Sequence, residues 1–222
     1  MHPNQYFYTV MNKILLLLSL TLMGCSSTRM VQNWKNPDIV LFHAYQVLIV
    51  GMSQNPDTKN DFETKLQKEF EKRGVESMKG IDLFDVKFID EAKSEEELSY
   101  VEQQLLEKGF DAILFTKLVG LENKDTFKKK TSDFHDYFGT FQEDYLHQQS
   151  MNLEANYNDH YPVYYTETSL YCICPDKERE LIWRGSMEIS NPMDIEKTVD
   201  NYIRLVVKSM EEQDIIFTKE KY

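Results

Sequence analysis

Between Tyr45 and Val119 the hydrophobic pattern switches repeatedly between short apolar runs and helical spacing, and few folds accommodate that order. Tyr45-Gln-Val-Leu-Ile-Val50 is a short β-branched run stopped by Gly51, as a buried strand requires. After a loop through Pro56-Asp57, Phe62, Leu66 and Phe70 recur at every fourth residue among Lys and Glu. Gly74 follows, so this is an amphipathic helix with a glycine cap. Val75 to Met78 reads as a second, short strand. Ser94-Glu-Glu-Glu97 has the capping-box pattern and opens a helix carrying Leu98, Val101 and Leu105 on one face, closed by Gly109. Asp111 to Val119 is apolar enough to be a central strand. The order β-α-β-α-β calls for helices packed against a sheet.

The stretch from Glu122 to Tyr161 breaks that order, with a Lys128-Lys-Lys130 run, scattered acids and many aromatics. Val163 to Ile173 then alternates as a strand does, Pro175 to Glu178 is a turn, and Glu180 to Ile189 returns as the hairpin partner. Trp183 is expected to pack inward, with its neighbour Arg184 pointing to the other face. Asn191-Pro192 starts a last helix whose apolar stripe runs Ile195, Val199, Ile203, Val206 and Met210. The expected fold is therefore α/β (α+β), a single domain over 44–217. It has a mixed sheet in the order β-α-β-α-β, then a β-hairpin and a C-terminal helix, with an aromatic, acidic insertion at about 122–161 and a charged tail at 218–222.

Ahead of this domain, Lys13 precedes the apolar run Ile14 to Leu22, which ends in Met23-Gly24-Cys25. A cationic start, an apolar stretch of roughly 7–15 residues and a small residue before the cut make a secretory signal. The run falls short of the roughly 20 apolar residues that span a bilayer. Leu22-Met-Gly-Cys25 resembles the lipobox of bacterial lipoproteins, which implies removal of 1–24 and acylation of Cys25. Met11 is a more natural start than Met1. Residues 25–43 are expected to form a lipidated tether, with Trp34 pinning it to the domain.

The chain carries a net charge of −12, which opposes both phosphate-driven nucleic-acid binding and docking onto anionic lipid. Its 13 Tyr and 13 Phe are enough for a sizeable core. Cys172 and Cys174 sit two apart in a strand. On a regular strand their Cα atoms would lie about 6.5 Å apart with parallel side chains, so buried free thiols are expected.

No phosphate loop, nucleophile elbow or metal-binding repeat appears, and neither a cofactor, a metal nor an enzymatic activity is expected. His135, His147 and His160 share the insertion with Asp133, Asp136, Asp144 and Asp159, but at spacings that suit a solvated acidic loop better than a metal site. Phe134, Phe138, Phe141 and Tyr145 are spaced as one helical stripe. Such a stripe either folds back onto the sheet or stays exposed as a partner surface. The second reading makes these four the candidate interaction surface.

Three stretches together resemble a family of lipoproteins of Bacteroidetes and related Gram-negative bacteria that have no assigned activity. They are Cys25-Ser-Ser-Thr with Trp34-Lys-Asn-Pro-Asp38, Val47-Leu-Ile-Val-Gly-Met52 with Lys72-Arg-Gly-Val-Glu76, and Ser169-Leu-Tyr171 with Leu181-Ile-Trp183. The element order is also similar to the α/β domain of the TolB amino-terminal region and of penicillin-binding-protein activator and curli-assembly lipoproteins. The resemblance implies an outer-membrane lipoprotein on the periplasmic face, attached through Cys25, that engages an envelope protein. The alternative is a periplasmic binder of a small apolar or glycan ligand.

Overall fold

The computed structural model describes residues 28–51, 53, 55–84, 93–120, 140–154, 163–174, 180–190, 192 and 194–217. One six-stranded sheet organises them. The strands are β1 (Thr28–Lys35), β2 (Gln46–Gly51), β3 (Glu76–Lys79), β4 (Ala112–Gly120), β5 (Val163–Cys172) and β6 (Glu180–Ser190). The helices are α1 (Pro56–Glu71), the single turn α2 (Gly80–Leu83), α3 (Glu95–Glu107), α4 (Phe141–Glu154) and α5 (Ile195–Glu212). The strand order is β1-β6-β5-β4-β2-β3. β3, β2 and β4 run parallel, and the pairs β4–β5, β5–β6 and β6–β1 are antiparallel. This is the mixed α/β sheet expected from the sequence.

Local chemistry sets the helix ends. Asn55 accepts from the backbone N–H groups of Asp57 and Thr58, and Pro56 occupies the first turn of α1. Ser94 and Glu97 close the capping box of α3 in both directions. Asp194 caps α5 through the Lys197 N–H, so the helix begins three residues beyond Asn191-Pro192 and leaves Ile195 60% exposed. Gly74 and Gly109 take positive φ where α1 and α3 end.

Period-two alternation splits the apolar residues of the central strands between two layers. Val47, Ile49, Ala112 and Leu114 face α1 and α5, where they meet Phe62, Leu66, Phe70, Val206 and Met210. Leu48, Val50, Ile113 and Phe115 face α3 and α4, where they meet Leu98, Val101 and Leu105. Trp183 is fully buried in the first layer and lies over Gly185, where a Cβ would approach its ring to 2.5 Å.

Three expectations are corrected. Thr28 to Lys35 of the supposed tether are strand β1, hydrogen-bonded along β6; Trp34 packs on the second layer. The insertion, read as a break in the order of elements, contains helix α4. Cys172 and Cys174 form a disulfide rather than two free thiols. Strand β5 ends at Cys172, so the backbone beyond it is no longer regular and the two Cα atoms come to 5.4 Å.

Candidate functional site

The α3/α4 face of the sheet is apolar over β2 and over Ile113, Phe115, Tyr171 and Leu181, and charged residues enter it further along β4, β5 and β6. Buried charged residues from all three strands meet in that layer: Lys117 from β4, Glu167 from β5 and Arg184 from β6. Cross-strand register brings them together, because Lys117 is paired with Glu167 and Arg184 with Ser169. Helix α4 contributes the fourth charge, the buried Asp144.

The four charges alternate around a closed ring. Glu167 Oε1 lies 3.2 Å from Lys117 Nζ and 3.3 Å from Arg184 Nε. Asp144 closes the other side, with Oδ1 on Lys117 Nζ and Oδ2 3.4 Å from an Arg184 Nη. The Tyr171 hydroxyl donates to Asp144 Oδ2 and accepts from Arg184 at 3.1 Å, and Arg184 Nε donates to Ser169 Oγ at 3.0 Å. Two cations and two anions cancel, which is the condition under which charges tolerate burial.

Titration follows from these contacts. Burial pushes the Asp144 carboxyl up, but the charges of Lys117 and Arg184 and the bonds from Lys117 and Tyr171 outweigh it and hold it below its ordinary value. Burial and the adjacent Asp144 carboxylate drive the Tyr171 hydroxyl well above its ordinary range. Burial lowers the Arg184 guanidinium, yet Glu167 and Asp144 more than restore it. All these shifts favour one fixed charge state, whereas a proton-transfer residue needs a value near the working pH.

Around the ring the walls are aromatic. Phe115 meets the ring of Phe141 edge-on at 5.5 Å, and Phe141 meets Tyr171 at 6.0 Å. Phe141 and Tyr145 are therefore core residues, 5% and 6% exposed, and do not form an exposed interaction surface. Phe134 and Phe138 lie outside the described residues, as do His135 and His160. Beside Phe141 and Tyr145 a void of about 20 Å³ remains, lined also by Leu48, Val50 and Leu98. That is room for one water at most, against mostly apolar walls.

Away from the ring, the buried carboxylate of Glu63 on α1 accepts the N–H groups of Gly51 at 2.9 Å and Ile81 at 3.0 Å. It ties the end of β2 to the start of α2, with Lys59 3.8 Å away. Burial raises its pKa despite these donors. A charged surface groove of about 600 Å³ runs between α1 and α5, but Lys65 and Arg73 within it are bridged to Asp200 and to Glu69 and Glu211. Among the described residues no cluster of three or more His, Cys, Asp or Glu is arranged to hold a metal.

Lys117, Glu167 and Arg184 escaped the sequence reading as site residues. Lys117 and Arg184 each follow an apolar run on their strands, which was the available signal, whereas Glu167 lies in the polar stretch Thr166-Glu-Thr-Ser169 and gave none.

No protein-family model and no curated protein matches the chain. Among solved structures it is similar to the PelC dodecamer from Paraburkholderia phytofirmans. The TM-score is 0.42 at 9% identity, over 85% of this chain and 98% of that one. A PelC variant from the same organism aligns at a TM-score of 0.41 and 10% identity, over 82% and 96% of the two chains. Likeness of this degree carries no argument about function.

Proposed function

We propose that this chain is a lipid-anchored envelope protein that works by engaging another envelope protein rather than by catalysis. It is held through Cys25 on the periplasmic face of the outer membrane. The observation that carries this reading is the start of β1 at Thr28. Three residues reach at most about 11 Å, so acyl chains on Cys25 would be joined to the sheet edge by a short link rather than a long leash. Several acyl chains, at about 0.8 kcal/mol per buried methylene, would make the attachment lasting.

Such a link gives the domain an orientation. β1 is parallel to β5 through their shared neighbour β6, so Thr28 sits at the end of the sheet where β2 and β4 finish. The opposite end, where Val40 and Tyr45 are 86% and 85% exposed, then faces away from the membrane. The self-neutralised ring supports a binding scaffold, since its charges are spent on one another. Val40 and Tyr45 replace Phe141 and Tyr145 as the residues to alter in a partner test.

Metabolic labelling with an alkyne fatty acid, followed by membrane fractionation and in-cell crosslinking, tests the proposal. The expected result is label and outer-membrane localisation in the native chain and neither in Cys25→Ala. A crosslinked partner should be lost with Val40→Ser/Tyr45→Ser at unchanged Tm. Equal labelling and fractionation of the Cys25→Ala chain would overturn the anchor. A partner yield unchanged by the paired substitutions would remove that end as the contact surface.

A further inference from the structure

Without its helical corner, the charge ring is an anion site. Lys117, Arg184 and Glu167 all stand on adjacent strands of one sheet, and their sum is one positive charge. The sheet aims three donors at the remaining corner: Lys117 Nζ, an Arg184 Nη and the Tyr171 hydroxyl. What sits there is a single carboxylate, and both of its oxygens are used. Lys117 takes one oxygen, while Tyr171 and Arg184 take the other.

The same place has an apolar floor. Phe115 and Tyr171 belong to the sheet and remain when α4 is taken away, and α4 covers them with the rings of Phe141 and Tyr145. Asp144 thus enters the site as a carboxylate carried between two aromatic groups one helical turn apart. Among the described side chains, α4 is tied to the rest of the molecule by the Asp144 contacts, by Gln142 to Ser99 and Glu102, and by Gln149 to the backbone of Lys93. Displacing α4 is a local opening, an event that can cost less than global unfolding.

We infer that Lys117, Tyr171 and Arg184 form a receptor for a carboxylate borne on an apolar or aromatic body, filled in this structure by the chain's own Asp144. The site takes a monocarboxylate in place of Asp144, and α4 and the ligand compete for it. Neutral ligands lack the charge that the sheet corner needs, and a dianion oversupplies it. This holds whether or not Cys25 is acylated, so it stands or falls separately from the anchor.

Chemical rescue tests it. Asp144→Ala is melted at constant ionic strength in chloride, acetate or 3-phenylpropionate, beside the wild-type chain and Asp144→Ala/Lys117→Met. Acetate in tenfold excess over its Kd should raise the Tm of Asp144→Ala by roughly 3–6 °C relative to chloride. 3-Phenylpropionate should do so at lower concentration, and neither should raise the double variant. Should Asp144→Ala not fold in chloride, recovery of folded protein on refolding in either carboxylate is the equivalent positive result. Equal shifts in all three proteins, or no shift or recovery with either carboxylate, overturn the inference. In the wild-type chain, 3-phenylpropionate should speed amide exchange across 141–154 and leave α5 unchanged. Exchange that is unaffected at 50 mM 3-phenylpropionate, about the upper range of a weak site, would contradict competition with α4.

Discussion

α1 and α5 are held against the sheet by shape and burial, whereas α4 adds to its buried Phe141 and Tyr145 a carboxylate that completes an ionic ring. On the first face Leu66, Phe70, Val206 and Met210 are fully buried among Ile49, Leu114 and Trp183. Neutral hydroxyls enter that layer and pair with one another: the Tyr202 hydroxyl bonds Thr168 at 2.7 Å, and Thr168 bonds Thr116 at 2.8 Å. Burial, helped by the Glu167 carboxylate and only partly offset by the threonine hydroxyls, pushes Tyr202 up to about 12. On the second face three charges of the ring are built into the sheet, and the ring closes only when a fourth arrives on a helix. An apolar seam tolerates small shifts, because any nearby packing buries similar area. An ionic ring does not, because a missing corner leaves a buried net charge. The first face supplies stability and the second supplies position.

The largest effect should come from taking one corner out of the ring. Arg184→Met leaves Asp144 and Glu167 facing each other across Lys117 alone, and a loss of about 3–5 kcal/mol is expected in urea unfolding. Replacing all four charges together, as Lys117→Met, Asp144→Leu, Glu167→Leu and Arg184→Met, should be close to neutral or stabilising. If the fourfold variant is as unstable as the single one, the ring adds net stability and the contrast between the faces is lost.

On the first face Leu66→Ala should cost about 2–5 kcal/mol by transfer and cavity terms, with the urea m-value unchanged. Here no second substitution should rescue the loss by restoring charge balance. Rescue should come only from refilled volume.

The smallest effect is on pH dependence, and two carboxylates act in opposite directions. Asp144 has a folded pKa below its ordinary 3.8, so its contribution is complete above that value and is lost as pH falls through the folded pKa. Glu63 has a folded pKa above its ordinary 4.5, so its contribution is complete below that value and is lost as pH rises through the folded pKa. Stability measured from pH 3 to 7 should therefore lose its acid-side decline in Asp144→Asn and its rise toward acid in Glu63→Gln. Superimposable profiles for the three proteins would contradict both assignments.

Most of the first face was legible in the chain. Phe62, Leu66 and Phe70 announced α1, and Val199, Ile203, Val206 and Met210 announced α5, because helices that bury one stripe must repeat it. The sheet's edge was not legible. Thr28-Arg-Met-Val-Gln-Asn-Trp-Lys35 is a polar strand that buries little of itself, and its identity depends on a partner more than 140 residues away, as in the Arg29–Glu188 pair at 2.6 Å. The ring was hidden for a related reason. Lys117, Asp144, Glu167 and Arg184 have no mutual spacing, since sheet register and not sequence distance brings them together. The Cys172–Cys174 bond was missed because regular strand geometry was extended past the residue where β5 stops.

Native-state amide exchange on Asp144→Asn, compared segment by segment with the unmodified protein, tests most directly whether the ring positions α4. Protection across Phe141–Glu154 should collapse while protection across Ile195–Glu212 changes only by the small global loss. A uniform fall in both helices, or no change in α4, would contradict the division of labour between the two faces.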